Sequence, residues 1–198
     1  MRIFLAYISV DRRYCYMTRL EAVDKLCDSY SAYFDVERFD EEDTELAATC
    51  FLYVHSEKYV LVKAAKLWEA DSNEYVYIFS VPHLTKEIFA RCRDYAYNEG
   101  MSHIEPKAGH MCSYITALFI CDTADADAVK ALKRTRIYKS FRLSYYGWMD
   151  FHTGVIELST NKTSANASGR CTAQLLDKTL LGKGTKRKKL FNNSLLFK

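Results

Sequence analysis

Apolar residues recur at helical spacing soon after residue 17. Thr18 and Glu21 have the spacing of a capping box, which marks the start of a helix. An apolar stripe at intervals of three and four follows, formed by Leu20, Val23, Leu26, Cys27 and Tyr30. The pattern predicts a helix that begins at Thr18, turns this stripe towards the core and ends near Tyr33.

The pattern then changes from helical spacing to β-rich runs. Residues 35–45 hold seven acids against Arg38, which predicts an exposed loop or edge. Three runs rich in β-branched and aromatic residues follow at 46–55, 59–66 and 75–81, with polar breaks between them. They predict three strands in an antiparallel meander.

The middle of the chain predicts a second helix and a central strand. Thr85 precedes a helical pattern that Gly100 would end, with Ile88, Cys92, Tyr95 and Ala96 on one face. Residues 111–121 are apolar on both faces, which is typical of a central strand covered on both sides.

The last third predicts two further helices and two strands. A helix from Asp122 or Thr123 has acids in its first turn and cations at its end, which suits the helix dipole. Strands at 138–146 and 151–158 flank a turn at Gly147, and a polar loop leads to a helix at 172–181 that Gly182 ends. The order αβββαβαββα predicts an α/β (α+β) fold, with a mixed sheet, an antiparallel meander and helices on both faces.

Charge divides the chain into a body and a tail. The net charge is +3, but residues 182–198 contain six basic residues and no acid, so the remainder carries −3. We expect residues 1–16 to be an N-terminal extension or strand and residues 17–181 to form a single α/β domain. Residues 182–198 are expected to be a disordered basic tail.

The seven cysteines are scattered, without a CxxC pair or a zinc-binding spacing. Most occupy apolar positions, where a reduced thiol packs as a small hydrophobe. No apolar run approaches the roughly 20 residues that span a bilayer. These features predict a cytoplasmic protein with no transmembrane segment.

Two segments carry a resemblance to other proteins. They are Gly109-His-Met-Cys-Ser-Tyr-Ile-Thr with Cys121-Asp-Thr, and Arg136-Ile-Tyr-Lys-Ser-Phe with Gly147-Trp-Met-Asp-Phe-His-Thr-Gly. Over about residues 17–181 the chain resembles an uncharacterised protein family of anaerobic Gram-positive gut bacteria. The resemblance implies a bacterial source and these domain limits, and it implies no catalytic residues.

The order of elements separately resembles the core of restriction-endonuclease-like nucleases, which is a likeness of fold. Those enzymes hold divalent metal with carboxylates beside a lysine. The resemblance implies Glu21 as the acid on the first helix. The usual Glu-x-Lys is missing, and its nearest substitute is Lys66 with Glu69 and Asp71 in reversed order.

A divalent metal is therefore expected only if the domain is a metal-dependent phosphodiesterase. Its metal ligands would then be Glu21, Glu69 and Asp71, and Lys66 and Glu69 would be catalytic candidates. No other cofactor is predicted.

Residues 128–149 contain six cations, no acid and several aromatic residues. The cations are Lys130, Lys133, Arg134, Arg136, Lys139 and Arg142. Cations that pair with phosphates, beside rings that stack on bases, are typical of a surface that binds single-stranded nucleic acid or another polyanion. The alternative is a helix end followed by a strand in which Phe141, Leu143 and Tyr145 face the core.

Three further residues are candidates for catalysis. His110 precedes the central strand, where α/β proteins often place functional groups, but the sequence favours a structural cap for nearby backbone. Asp150 and His152 share a strand face. This arrangement suits either a general base with a carboxylate that orients it or an ordinary hydrogen-bonded pair. Cys112 is close to His110, but its apolar strand favours packing over a nucleophile.

The known nucleotide-binding, hydrolase and metalloprotease motifs are absent from the sequence. The leading hypothesis is a non-catalytic cytoplasmic domain that binds a partner, with nucleic acid ahead of protein. The alternatives are the metal-dependent phosphodiesterase and a homodimer whose aromatic surface is the interface.

Overall fold

The computed structural model describes residues 17–39, 44–59 and 66–183. The elements are α1 (Arg19–Tyr30), β1 (Asp35–Arg38), β2 (Leu46–Tyr59), β3 (Lys66–Leu84), α2 (Lys86–Ser102), β4 (His110–Ala124), α3 (Ala126–Arg134), β5 (Tyr138–Ser140), β6 (Trp148–Glu157), β7 (Lys162–Ala165) and α4 (Arg170–Leu181). This mixed arrangement of helices and strands confirms the predicted fold class. None of these helices is long and apolar enough to cross a membrane.

The strands form one mixed sheet in the order β1-β2-β3-β4-β6-β5, and β7 pairs with the remaining length of β6. Strands β1, β2 and β3 make an antiparallel meander; a meander was predicted, but β1 was not one of its three predicted runs. Strand β4 is parallel to β3 on one side and to β6 on the other. The prediction of a central strand over residues 111–121 is therefore confirmed.

Helices α2 and α3 cover one side of the sheet, which we call the α2/α3 face. Its core is aromatic, and the buried rings include Tyr75, Tyr77, Phe79, Phe119 and Phe151. The rings of Phe79 and Phe119 stack with their centroids 5.3 Å apart. Burying such large rings contributes strongly to stability, so this face is the main core.

Helices α1 and α4 cover the opposite side, the α1/α4 face. Here the buried side chains are mostly aliphatic: Val76, Ile78, Leu118, Ile120, Ile156, Leu26 and Leu176. Helices thus lie on both faces, as predicted. Glu74, Tyr114 and Asp150 form a half-buried row nearer the amino ends of β4 and β6.

Five of the six cysteines in the described residues are buried, and all six are free thiols. Burial raises the pKa of Cys50, Cys92 and Cys121 to about 12. These thiols are therefore protonated at neutral pH and pack as small apolar groups.

The start of α1 follows its sequence signal. The Thr18 hydroxyl accepts from the Glu21 amide at 3.2 Å, and the Glu21 carboxylate accepts from the Thr18 amide at 2.9 Å. The helix ends at Tyr30, earlier than predicted, and Leu20 is 69% exposed rather than buried. The first turn lies at the carboxyl end of β4, where Arg19 contacts Asp122, so the core begins only one turn later.

Residues 60–65 of the strand predicted at 59–66 lie outside the described residues, and the two ends of that prediction belong to different strands. Tyr59 ends β2 and Lys66 begins β3, and the two strands are arms of one long hairpin. The third strand of the meander is β1, inside the acidic segment predicted as a loop or edge. A short charged strand suits an edge because it discourages pairing with other chains. The acids at 40–43 lie outside the described residues.

Helix α2 does not stop at Gly100 but continues to Ser102. A Cβ atom on Gly100 would lie 2.8 Å from three side-chain atoms of Ile115. Glycine stands here because α2 packs closely on β4, which a local helix-stop rule does not consider. On the same helix Tyr95 is 46% exposed, so only part of the predicted apolar face is buried.

Other boundaries in the second half also shift. Strand β4 runs to Ala124, so α3 begins at Ala126 rather than at 122 or 123. The predicted strand at 138–146 shortens to β5, and the predicted polar loop contains β7. Helix α4 ends at Gly182, as predicted, with a left-handed φ of +62°.

Substituting Gly100 tests the close packing of α2 on β4. We expect Gly100→Ala to lower the free energy of unfolding by about 1–3 kcal/mol, because overpacking outweighs the better helix propensity of alanine. Urea denaturation measures this, with exposed Asn98→Ala on the same helix as the control. A Gly100→Ala variant more stable than the parent would show that Ile115 moves aside at little cost.

Candidate functional site

The six cations predicted to bind a polyanion are all exposed, and we call them the basic surface. They follow the chain from the end of α3 through β5 into the next turn: Lys130, Lys133, Arg134, Arg136, Lys139 and Arg142. None of them pairs with an acid among the described residues, whereas Arg19, Arg38 and Arg91 each do. The basic surface therefore carries uncompensated positive charge.

Aromatic side chains accompany these cations. The Lys139 ammonium lies 5.8 Å from the Phe141 ring centroid, and the Arg142 guanidinium lies 5.0 Å from that of Tyr146. Of the three residues that would alternate into a core strand, only Phe141 is buried, while Leu143 is 98% and Tyr145 80% exposed. The structural alternative is confirmed for the helix end, where Lys133 and Arg134 lie in the last turn of α3, and it is wrong for the core strand.

Residues 141–147 form a turn with unusual backbone geometry, which we call the 141–147 turn. Arg142, Leu143 and Ser144 have φ values of 47°, 53° and 67°, in the left-handed region. Each such residue costs on the order of 1–3 kcal/mol, so surrounding contacts must hold it. Phe141 provides two of them, because its amide donates to the Gly147 carbonyl and its carbonyl accepts from the Tyr146 amide. The turn thus presents Leu143 to solvent.

His110 holds this turn against the sheet. Its Nδ1 lies 2.7 Å from the Tyr146 carbonyl oxygen and its Nε2 lies 2.9 Å from the Ser113 hydroxyl. A carbonyl only accepts, so Nδ1 donates to it and Nε2 accepts from Ser113. Both nitrogens are engaged, which gives His110 a structural role. The Cys112 thiol instead lies 3.1 Å from the Ser72 hydroxyl. Among the described residues, no hydrogen bond joins Cys112 to His110.

Asp150 and His152 do share a face of β6, but their contact is long. Nε2 of His152 lies 3.8 Å from Oδ2 of Asp150, beyond hydrogen-bond distance, and the His152 ring stacks on Tyr114 with centroids 5.2 Å apart. Within the described residues, Nδ1 of His152 and the hydroxyl of its strand partner Thr116 are buried without hydrogen-bond partners. Burial lowers the pKa of His152 and Asp150 partly opposes this. His152 is therefore held neutral.

Sequence reasoning missed the neighbours of this pair. The register places Glu74 and Tyr114 in one row with Asp150. Burial raises the pKa of the Glu74 carboxyl and of the Tyr114 hydroxyl. These residues lie far apart in the chain, so only the strand register brings them together.

Two of the three predicted metal ligands, Glu21 and Asp71, lie on different elements. Glu21 caps α1, while Asp71 lies in the β2–β3 hairpin and its Oδ1 is 2.5 Å from Nδ1 of His55. Lys66 and Glu69 begin β3, and their side chains lie outside the described part. Within the described residues, no group of three or more His, Cys, Asp or Glu side chains could hold a metal ion.

A cavity of about 270 Å³ lies at the amino end of β4, and we call it the β4 cavity. The side chains that line it include Tyr53, His55, Asp71, Asn73, His103 and Lys107. His110 lines it as well, so the cavity adjoins the 141–147 turn. The sequence offered no signal for it, because its histidines are isolated along the chain.

A family model described as Domain of unknown function (DUF8052) matches residues 18–178. The chain belongs to the DUF8052 family. No curated protein and no solved structure matches it. The matched part of the DUF8052 domain runs from the capping box of α1 into α4, and it includes the basic surface and the β4 cavity. The function of the family is unknown, so a functional hypothesis must rest on these sites.

Neutral His152 should make stability depend on pH. Its folded pKa lies below the unfolded value of about 6.5, so the unfolded chain takes up a proton first as pH falls. The free energy of unfolding therefore falls as the pH drops below about 6.5, by up to about 1.4 kcal/mol per pH unit. We expect His152→Phe to remove this component in urea denaturation between pH ~7.5 and ~5.

Exposed His83 provides the matched control for that measurement. His83→Gln leaves His152 in place, so its pH profile should retain the component that His152→Phe loses. Equal slopes for the parent and His152→Phe would show that His152 takes up a proton as readily in the folded state as in the unfolded state.

Proposed function

We propose that this domain binds single-stranded nucleic acid through the basic surface. The observation that carries the proposal is the set of six exposed cations without acid partners among the described residues. Phosphate groups would supply the missing negative charge. Each cation that neutralises a phosphate releases a counterion, which drives binding and makes it depend on salt.

Exposed rings favour a single strand over a duplex. Tyr138 is 60% and Tyr145 80% exposed, and both lie among the cations. Stacking on aromatic side chains needs the faces of bases, which a duplex hides. The cation–ring contacts of Lys139 and Arg142 hold two charges in place beside these rings, so little order has to be gained on binding.

The described residues favour this proposal over the two alternative functions. A two-fold symmetric dimer through Leu143 and Tyr145 would bring two sets of unpaired cations together, which is unfavourable. For the metal-dependent phosphodiesterase, the described residues supply no metal site. A binding role without catalysis agrees better with the arrangement. The free buried cysteines and the resemblance to gut bacterial proteins support a cytoplasmic, bacterial setting for it.

The proposal is tested by removing two central charges. We expect the parent to bind a fluorescent single-stranded DNA or RNA 15-mer with an affinity that falls steeply between about 50 and 200 mM salt. Lys139→Ala/Arg142→Ala should bind several-fold more weakly, with a salt slope smaller by about 0.7 per lost phosphate contact. Fluorescence anisotropy measures both quantities.

The matched control removes two exposed cations from the helices of the opposite face. Lys25→Ala/Lys178→Ala changes the net charge equally and should keep the affinity of the parent. If Lys139→Ala/Arg142→Ala also binds as the parent does, the basic surface is not the binding site. Binding only to vesicles of anionic phospholipid, or a salt-insensitive dimer without oligonucleotide binding, would overturn the proposal.

A further inference from the structure

The β4 cavity has one wall built of fixed rings. Tyr53, 57% exposed, meets the edge of Tyr75 with centroids 5.8 Å apart. The His103 ring stacks on Tyr75 at 5.5 Å, and the Tyr75 hydroxyl donates to the His103 carbonyl at 3.2 Å. Because its neighbours are held in place, Tyr53 offers a ready stacking surface at the mouth of the cavity.

The other side of the cavity is polar, and its ionisable side chains contact one another. His55 lies 2.5 Å from Asp71 and Lys107 lies 3.8 Å from Glu105. The Asp71 amide also donates to the Gly109 carbonyl at 2.8 Å, which fixes the backbone there. A cavity whose ionisable groups already contact one another suits a ligand that has an aromatic face and a hydrogen-bonding edge.

The cavity adjoins the 141–147 turn through one residue. His110 lines the cavity and also donates to the Tyr146 carbonyl. A Cβ atom on Gly147 would lie 2.7 Å from Nδ1 of His110 and 2.5 Å from the Met111 carbonyl oxygen, so the turn lies directly against the start of β4. The turn that carries Arg142 therefore borders a residue that lines the cavity.

The volume of the cavity limits what it can hold. About 270 Å³ corresponds to the liquid volume of roughly nine water molecules, comparable with the heavy atoms of one nucleobase. Single-strand binding proteins commonly turn a base out of the strand, stack it on an aromatic ring and hydrogen-bond its edge. A base has the face, the edge and the size that this cavity accommodates.

We infer that the β4 cavity takes one unstacked base of the nucleic acid strand held by the basic surface. The inference rests on the proposed function and adds base selection to it. Tyr53 stacks on the base, while Asp71 and Asn73 contact its edge. The basic surface supplies affinity, and the cavity supplies preference for one base over another.

The experiment uses the whole chain and oligonucleotides that contain a single 2-aminopurine, whose fluorescence responds to stacking. We expect bound parent to change that fluorescence, and homopolymers of the four bases to compete unequally. Tyr53→Ala should lose both effects and bind about five- to 150-fold more weakly, with its salt slope unchanged. Tyr53→Phe, which keeps the ring, should behave as the parent does.

Tyr33→Ala provides the control, since Tyr33 is an 80% exposed tyrosine that does not line the cavity. If Tyr53→Ala keeps the base preference and fluorescence change of the parent, the cavity does not take a base, although Lys139→Ala/Arg142→Ala still tests the basic surface. If the parent binds no oligonucleotide in a salt-dependent way, the proposed function fails and this inference fails with it.

Discussion

Strand β4 pairs in parallel with β3 along one edge and with β6 along the other, and the remaining architecture depends on this pairing. Parallel neighbours must be joined by crossovers, which α2 and α3 provide on the same side of the sheet. Helices α1 and α4 cover the opposite side. A strand buried on both faces has to be apolar on both, which is the pattern of residues 111–121.

The amino end of the same strand organises both candidate sites. His110, its first residue, is buried, and its two ring nitrogens bridge the sheet and the 141–147 turn. The turn carries Arg142 and the exposed Leu143 in left-handed backbone, and the β4 cavity opens on the other side of the histidine. His110 therefore joins the turn to the wall of the cavity.

Ion pairs neutralise several arginines elsewhere on the domain, whereas the six clustered cations of the basic surface have none among the described residues. Arg38 lies against Asp24 and Asp28, and Arg91 lies against Glu45, so these cations are neutralised locally. Exposed pairs of this kind contribute little to stability. Their importance here is the contrast, because the cations from Lys130 to Arg142 have no such partners among the described residues. A positive net charge alone would have pointed to the tail instead.

Local sequence signals were enough to predict several elements correctly. The capping box at Thr18 and the left-handed cap at Gly182 involve residues within one helical turn, so their sequence spacing decides the contacts. The sequence also predicted β4, because a strand buried on both faces has apolar residues at nearly every position. The exposure of the six cations was also expected, because a segment so rich in basic residues is costly to bury.

Contacts between distant segments decided the remainder. Gly100 reads as a helix stop until Ile115 is packed against it, and Leu20 continues an apolar stripe beyond the start of the core. The His55–Asp71 pair and the β4 cavity exist only because the strand register aligns β2, β3 and β4. The sequence by itself thus determined the four helices, the central strand and the charged surface of this protein. The tertiary structure alone decided which polar side chains meet, because their spacing depends on strand register rather than on distance along the chain.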